Sequence, residues 1–156
     1  MPVTNKGNDA RRALQLCAEM EREMGGLYRD LAAAHAGDRG LARLWMKTAR
    51  EEDNHAHQFE LALRYGDQLG ALLVGAEAVA ALVETVREER RRHAGTPPSP
   101  VDALRAAVDL EDRFAHFHMS TIADFRSPNL RKLFEAMMAA DREHSDALRK
   151  ALAARS

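Results

Sequence analysis

Residues 45–59 read Trp45-Met46-Lys47-Thr48-Ala49-Arg50-Glu51-Glu52-Asp53-Asn54-His55-Ala56-His57-Gln58-Phe59, and the fold turns on the acid at the centre of this run. On a helix the neighbours of Glu52 at three, four and seven residues are Trp45, Thr48, Ala49, His55, Ala56 and Phe59. That is a mostly apolar stripe, the face a helix turns inward. Glu51 is flanked instead by Lys47, Thr48, Asn54 and Gln58, and reads as a surface acid, like Glu19 and Asp112. The stretch is therefore an amphipathic helix with one carboxylate on its buried side.

Three more acids stand on such stripes. Glu21 lies among Leu14, Cys17, Ala18, Met24, Gly25 and Tyr28. Glu111 lies among Leu104, Ala107, Val108, Phe114, Ala115 and His118. Asp141 lies among Phe134, Met137, Met138, His144, Ser145 and Leu148. Burying an ionised carboxylate without compensation costs several kcal/mol, and four would overwhelm a domain stable by roughly 5–15 kcal/mol. The stripes carry no Lys or Arg near these acids. Two divalent cations would neutralise four carboxylates, and oxygen and imidazole donors suit iron, manganese or zinc. His55 follows Glu52 by three residues and His144 follows Asp141 by three, which places each pair on one helical face. A lone acid on one helix and an acid-x-x-His pair on the next, given twice, is the ligand set of two-metal helical bundles.

The surrounding chain is helical in period, with scattered β-branched residues and only 5% aromatics. Local signals predict helices over about 9–36, 38–66, 99–126 and 127–154, with a crossover helix over about 70–93. Asp38 serves as N-cap of the second, and Ser99-Pro100 and Ser127-Pro128 open the last two. Asp102, three residues after Ser99, makes a variant of the capping box. In the crossover, Leu69, Leu72, Leu73, Ala76, Val79, Val83 and Val86 recur at helical spacing. The expected fold is all-α: two antiparallel hairpins joined by a long connection, the ferritin-like form of the four-helix bundle. The hairpins also resemble each other. A shift of 90 brings Leu14 onto Leu104, Glu21 onto Glu111 and Tyr28 onto His118. A shift of 89 brings Trp45 onto Phe134, Glu52 onto Asp141 and His55 onto His144.

Bulk properties narrow the function classes. The 156 residues suit a single domain, with 46% hydrophobic and 30% charged residues. A formal net charge of −1 makes no case for nucleic acid or a membrane surface. The basic run Arg90-Arg91-Arg92-His93 follows Glu88 and Glu89 and reads as a solvated helix end. The one cysteine, Cys17, excludes an internal disulfide or a CxxC knuckle and reads as a small core residue. The polar segment Met1 to Asp9 has no apolar centre, so a cytoplasmic protein without a signal peptide is expected. His35, His57, His93 and His116 read as surface or helix-end residues, and Met137 and Met138 as core packing.

With these residues in place, the chain resembles the rubrerythrin-like branch of the ferritin-like di-iron superfamily. The likeness runs from about Ala10 to Leu152. It is carried by Ala18-Glu19-Met20-Glu21 through Tyr28-Arg29-Asp30-Leu31-Ala32, by Ala49 to Ala56, by Leu110-Glu111, and by Asp141-Arg142-Glu143-His144. The resemblance implies two iron ions reacting with peroxide or oxygen, and a homodimer. It makes Glu21 and Glu111 terminal ligands, Glu52 and Asp141 bridging ligands, and His55 and His144 imidazole ligands. Tyr28 and His118 could hydrogen-bond those ligands, or could be ordinary core residues. The pattern departs from the family at three places. Asp141 stands where the family has Glu, shorter by one methylene. There is no four-cysteine rubredoxin-like domain, so a separate electron-donor protein is expected. Val108 and Phe114 occupy the places one turn from Glu111 where rubrerythrin proper has a further glutamate. Two readings follow: a peroxide- or oxygen-reacting oxidoreductase or ferroxidase, or a non-enzymatic metal-binding or interaction module with a weakened second metal position.

Overall fold

The computed structural model describes residues 6–64, 75–122 and 127–156, and the side chains of 9–64, 75–115 and 127–156. The described residues form five α-helices and no strand: α1 (Lys6–Ala34), α2 (Arg39–Arg64), α3 (Ala76–Gly95), α4 (Pro100–Ile122) and α5 (Pro128–Ala153).

Side-chain caps start three of these helices. Asp38 Oδ1 accepts from Leu41 N at 3.0 Å and opens α2. Ser99 Oγ accepts from Asp102 N at 3.2 Å and opens α4. Ser127 Oγ accepts from Leu130 N at 3.4 Å and opens α5, with Pro128 in the first turn. Asp38, Ser99 and Ser127 are thus caps rather than helical residues. The first helix begins before Asp9, at Lys6, and gives way to a turn at residues 35–37 instead of running to 36.

The crossover helix differs more from the sequence expectation. It begins at Ala76, because Gly75 is extended (φ −77°, ψ 154°), and it runs on to Gly95 rather than stopping at 93. Glycine loses more freedom than other residues on entering a helix, and it sits readily at such a boundary. Leu69, Leu72 and Leu73 lie outside the described residues.

Pairings along the helices give the topology. Arg11 reaches Leu63 O, Arg22 pairs with Glu60, and Arg29 pairs with Asp53, so α1 and α2 are antiparallel. Arg87 meets Glu19 and Glu23, and Arg90 meets Glu23 and Asp30, so α3 runs parallel to α1 along its outer side. The chain thereby returns to the end of the bundle where α2 began, and His35 Nε2 meets Pro98 O there at 2.9 Å. From that end α4 runs antiparallel to α1. Helix α5 runs antiparallel to α2, with Asp38 paired to Arg155 and His55 to Asp141.

The core is divided in two. One apolar cluster holds Met24, Leu27, Tyr28, Leu31, Trp45, Leu104, Leu110, Phe114 and Leu148. The other holds Leu14, Cys17, Ala18, Phe59, Val79, Leu130, Phe134 and Met137. Each fully buried aliphatic or aromatic side chain contributes roughly 1.5–3 kcal/mol. On α2 and α5 the residues of the two clusters are separated along the helix by Glu52 and His55, and by Asp141 and His144, and on α1 Glu21 stands beside the boundary between Ala18 and Met20. A polar belt therefore crosses the interior between two apolar plugs.

Candidate metal centre

Helical spacing and the antiparallel pairing of the helices bring the belt residues together. Glu21, Glu52, His55, Glu111, Asp141 and His144 are all buried, with exposures of 2–7%. The edge-to-face pair Phe59–Phe134, centroids 5.2 Å apart, stands in the apolar cluster on one side of the belt. The stacked pair Tyr28–Trp45, 5.7 Å apart and 12° from parallel, stands in the cluster on the other.

Two groups of potential ligand atoms form within the belt. Glu21, Glu52 and His55 make one, and Glu52, Glu111 and His144 make the other, with the ligand atoms of each group within 4.8 Å of one another. Glu52 belongs to both. Its Oε2 lies 3.2 Å from His55 Nδ1 and its Oε1 lies 3.2 Å from His144 Nε2. The histidine rings sit 5.9 Å apart. Glu111 Oε2 is 2.9 Å from His144 Nε2, and Glu21 Oε2 is 3.8 Å from His55 Nδ1. Such buried carboxylate–imidazole clusters could hold a metal ion.

Asp141 takes a distinct place. Its Oδ1 approaches His55 Nδ1 at 3.1 Å, and it belongs to neither three-residue group. The short side chain reaches the histidine of the opposite hairpin.

Two residues outside the sixfold set touch it. The Tyr28 hydroxyl donates to Glu111 Oε1, so Tyr28 holds one of the proposed ligands as well as packing the core. Glu51 is no plain surface acid. It is half-buried, and its Oε2 lies 3.3 Å from His144 Nδ1. Sequence neighbours alone gave no sign of this, because the contact comes from α5, far along the chain. Glu19 and Asp112 do behave as outward acids, paired with Arg87 and Arg149. The side chain of His118, like that of His116, lies outside the described residues. His35 sits at a helix end as expected but is buried. It accepts from Trp45 Nε1 at 3.0 Å and meets Pro98 O through its other nitrogen.

The electrostatics of the cluster are strained without cations. Burial, reinforced by Glu111 and Glu21, raises the pKa of Glu52 well above the ordinary carboxylate value. Burial opposes protonation of His144, but the carboxylates of Glu111, Glu51 and Asp141 outweigh it and push its pKa up to about 10. Protons thus offset part of the buried negative charge. Burial, with Glu111 and Glu52 nearby, also raises the Tyr28 pKa, keeping its hydroxyl a donor. Cys17 is buried, and burial together with Glu21 pushes its thiol pKa far up, as befits an inert core residue.

Satisfaction of hydrogen bonds tells the same story. Glu52 Oε1 and both ring nitrogens of His144 are fully buried yet lack an aligned hydrogen-bond partner. Buried polar atoms are almost always satisfied, and atoms of these types are metal donors. The donor set therefore fits a divalent cation in chemistry as well as in position. No helix among the described residues is long and apolar enough to cross a membrane. The chain matches no family model, no curated protein and no solved structure.

Proposed function

We propose that this protein is a two-metal carboxylate–histidine protein of ferritin-like, rubrerythrin-like type, with iron as its resident metal and peroxide or oxygen as its small-molecule substrate. The observation that supports this most is Glu52, shared between two buried ligand groups of opposite hairpins. On this reading Glu21, Glu52 and His55, with Asp141 beside them, would hold one ion. Glu52, Glu111 and His144 would hold the other. Bound iron would supply one-electron redox chemistry and a coordination position open to the oxidant.

The protein's own contribution is positioning and exclusion. Glu52 would offer its carboxylate to both positions. Tyr28 fixes the orientation of Glu111 by donating to its second oxygen. The apolar clusters on both sides of the belt keep bulk water from the charged groups, which strengthens every electrostatic interaction among them. Electrons would come from a separate donor protein, and the reading includes a cytoplasmic homodimer that binds neither nucleic acid nor membrane.

Anaerobic titration of metal-free protein with ferrous iron tests the proposal. Two equivalents per chain are expected, followed by rapid oxidation of the bound iron when peroxide is added. Well under one iron or manganese per chain after reconstitution would sink the reading. The position of Asp141 outside both groups favours a second one, a metal-binding module with a weak second position and no turnover. Binding of one equivalent, without peroxide-dependent oxidation, would select it.

A further inference from the structure

The two histidines of the belt are not held alike. His55 turns Nδ1 toward Glu52, Asp141 and Glu21, at 3.2, 3.1 and 3.8 Å. His144 turns the other nitrogen, Nε2, toward Glu111 and Glu52, at 2.9 and 3.2 Å. Its Nδ1 faces outward and meets Glu51 Oε2 at 3.3 Å. That nitrogen and that oxygen are both buried, and at this separation neither has an aligned hydrogen bond, to the other or to any described group. They are complementary, a potential N–H donor and a carboxylate acceptor set against each other.

The internal repeat sharpens the asymmetry. The shift of 89 that carries Glu52 onto Asp141 and His55 onto His144 carries Glu51 onto Ala140. Ala140 has no side-chain acceptor, so the residue matching Glu51 cannot make the same contact to His55. Glu51 is also anchored on its outer side. Its Oε1 lies 3.9 Å from Lys47 Nζ one turn back on α2, and its side chain is 26% exposed. A ligating imidazole is commonly oriented by an acceptor on its other nitrogen, which sets both the ring angle and the nitrogen left for the metal.

From these contacts we infer that Glu51 is a positioning residue. Its carboxylate stands 3.3 Å from His144 Nδ1, where a small rotation lets it accept from the Nδ1–H and so commit Nε2 to the Glu52–Glu111 group. The two metal positions are thereby inequivalent: one uses Nδ1 of His55, which has no counterpart of the Glu51 contact among the described residues, and the other uses Nε2 of His144, braced by Glu51. The inference rests on the metal-centre reading above and adds a residue that reading does not require. Glu51 is not itself a ligand, since the atom it approaches is the nitrogen turned away from the group.

Cobalt(II) titration of the full chain tests this, followed by calorimetry and by visible absorption. Wild type, Glu51→Ala and Glu51→Gln are compared, and melting of each metal-free protein is recorded alongside. In wild type two binding steps are expected. Glu51→Ala weakens one step by about 10–100-fold, the usual effect of removing such a partner, and leaves the other step unchanged in a metal-free protein that still melts cooperatively. Glu51→Gln restores the weakened step, because an amide oxygen still accepts from Nδ1–H. Identical isotherms for wild type and Glu51→Ala overturn the inference and leave the metal centre standing. Complete loss of one equivalent that Glu51→Gln does not restore also overturns it, by making Glu51 a ligand. A wild-type chain that binds no cobalt overturns both the inference and the reading beneath it.

Discussion

The Tyr28 hydroxyl donates to Oε1 of Glu111, whose other oxygen lies 2.9 Å from His144 Nε2. One core tyrosine therefore sets the direction of a carboxylate three helices further along the chain, at a proposed metal position. Tyr28→Phe keeps the stack on Trp45 and removes only this donor. Metal affinity of the Glu111 group should fall about 10–100-fold. The metal-free protein should lose about 1–2 kcal/mol, the cost of an unmet buried acceptor. Calorimetric titration and urea unfolding measure the two effects. Unchanged affinity would show that Glu111 is held by other contacts.

Stability should depend on pH in opposite senses with and without metal. In the folded chain the Glu52 pKa is raised well above 4.5, and that of His144 is raised from 6.5 to about 10. The folded state therefore binds more protons than the unfolded one, and stability falls as pH rises. The His144 contribution is fully present below about pH 6.5 and is lost as pH climbs through about 10. Loss from Glu52 begins above about 4.5. The metal-free melting temperature should decline between about pH 6 and about pH 9. With saturating metal the trend should reverse, because ligands bind deprotonated. A metal-free melting temperature that climbs over that interval would contradict the charge assignment.

Asp141 reaches His55 but joins neither ligand group. Asp141→Glu adds one methylene, extending the carboxylate by about 1.5 Å. That length is expected to let it serve both positions and to tighten the weaker of two metal equivalents. Stoichiometry and stepwise affinity in a ferrous or manganous titration report this. A weaker second step in the variant would mean that the pocket is already filled by the shorter acid.

Far from the charged belt, His35 ties three segments together through Trp45 Nε1 and Pro98 O. His35→Ala leaves a buried indole N–H and a carbonyl without partners, at a cost of about 2 kcal/mol. Thermal or urea unfolding of the metal-free protein would show it. Metal stoichiometry should not change, so a variant that loses metal would place this knot inside the functional unit.

Much of this molecule is written in short-range sequence. Asp38, Ser99-Pro100 and Ser127-Pro128 start their helices because a cap satisfies backbone N–H groups only three residues away. Glu21, Glu52, Glu111 and Asp141 betray their burial because residues at three, four and seven positions share a helical face. His55 and His144 follow by the same rule. The start of α3 was less legible, since an apolar period runs through Gly75 although the helix does not.

What only tertiary structure decided are relations between helices. Helical periodicity says which way a side chain faces but not what it faces. So the sequence could mark Glu52 as buried, while the packing of the α4–α5 hairpin against α2 made it common to both ligand groups. Glu51 reads as a surface acid on its own helix, and the approach of α5 places His144 against it. The same holds for Tyr28, which α4 turns from a core aromatic into the donor that holds Glu111. Each of these contacts joins residues distant in the chain, and only the packed fold specifies such pairs.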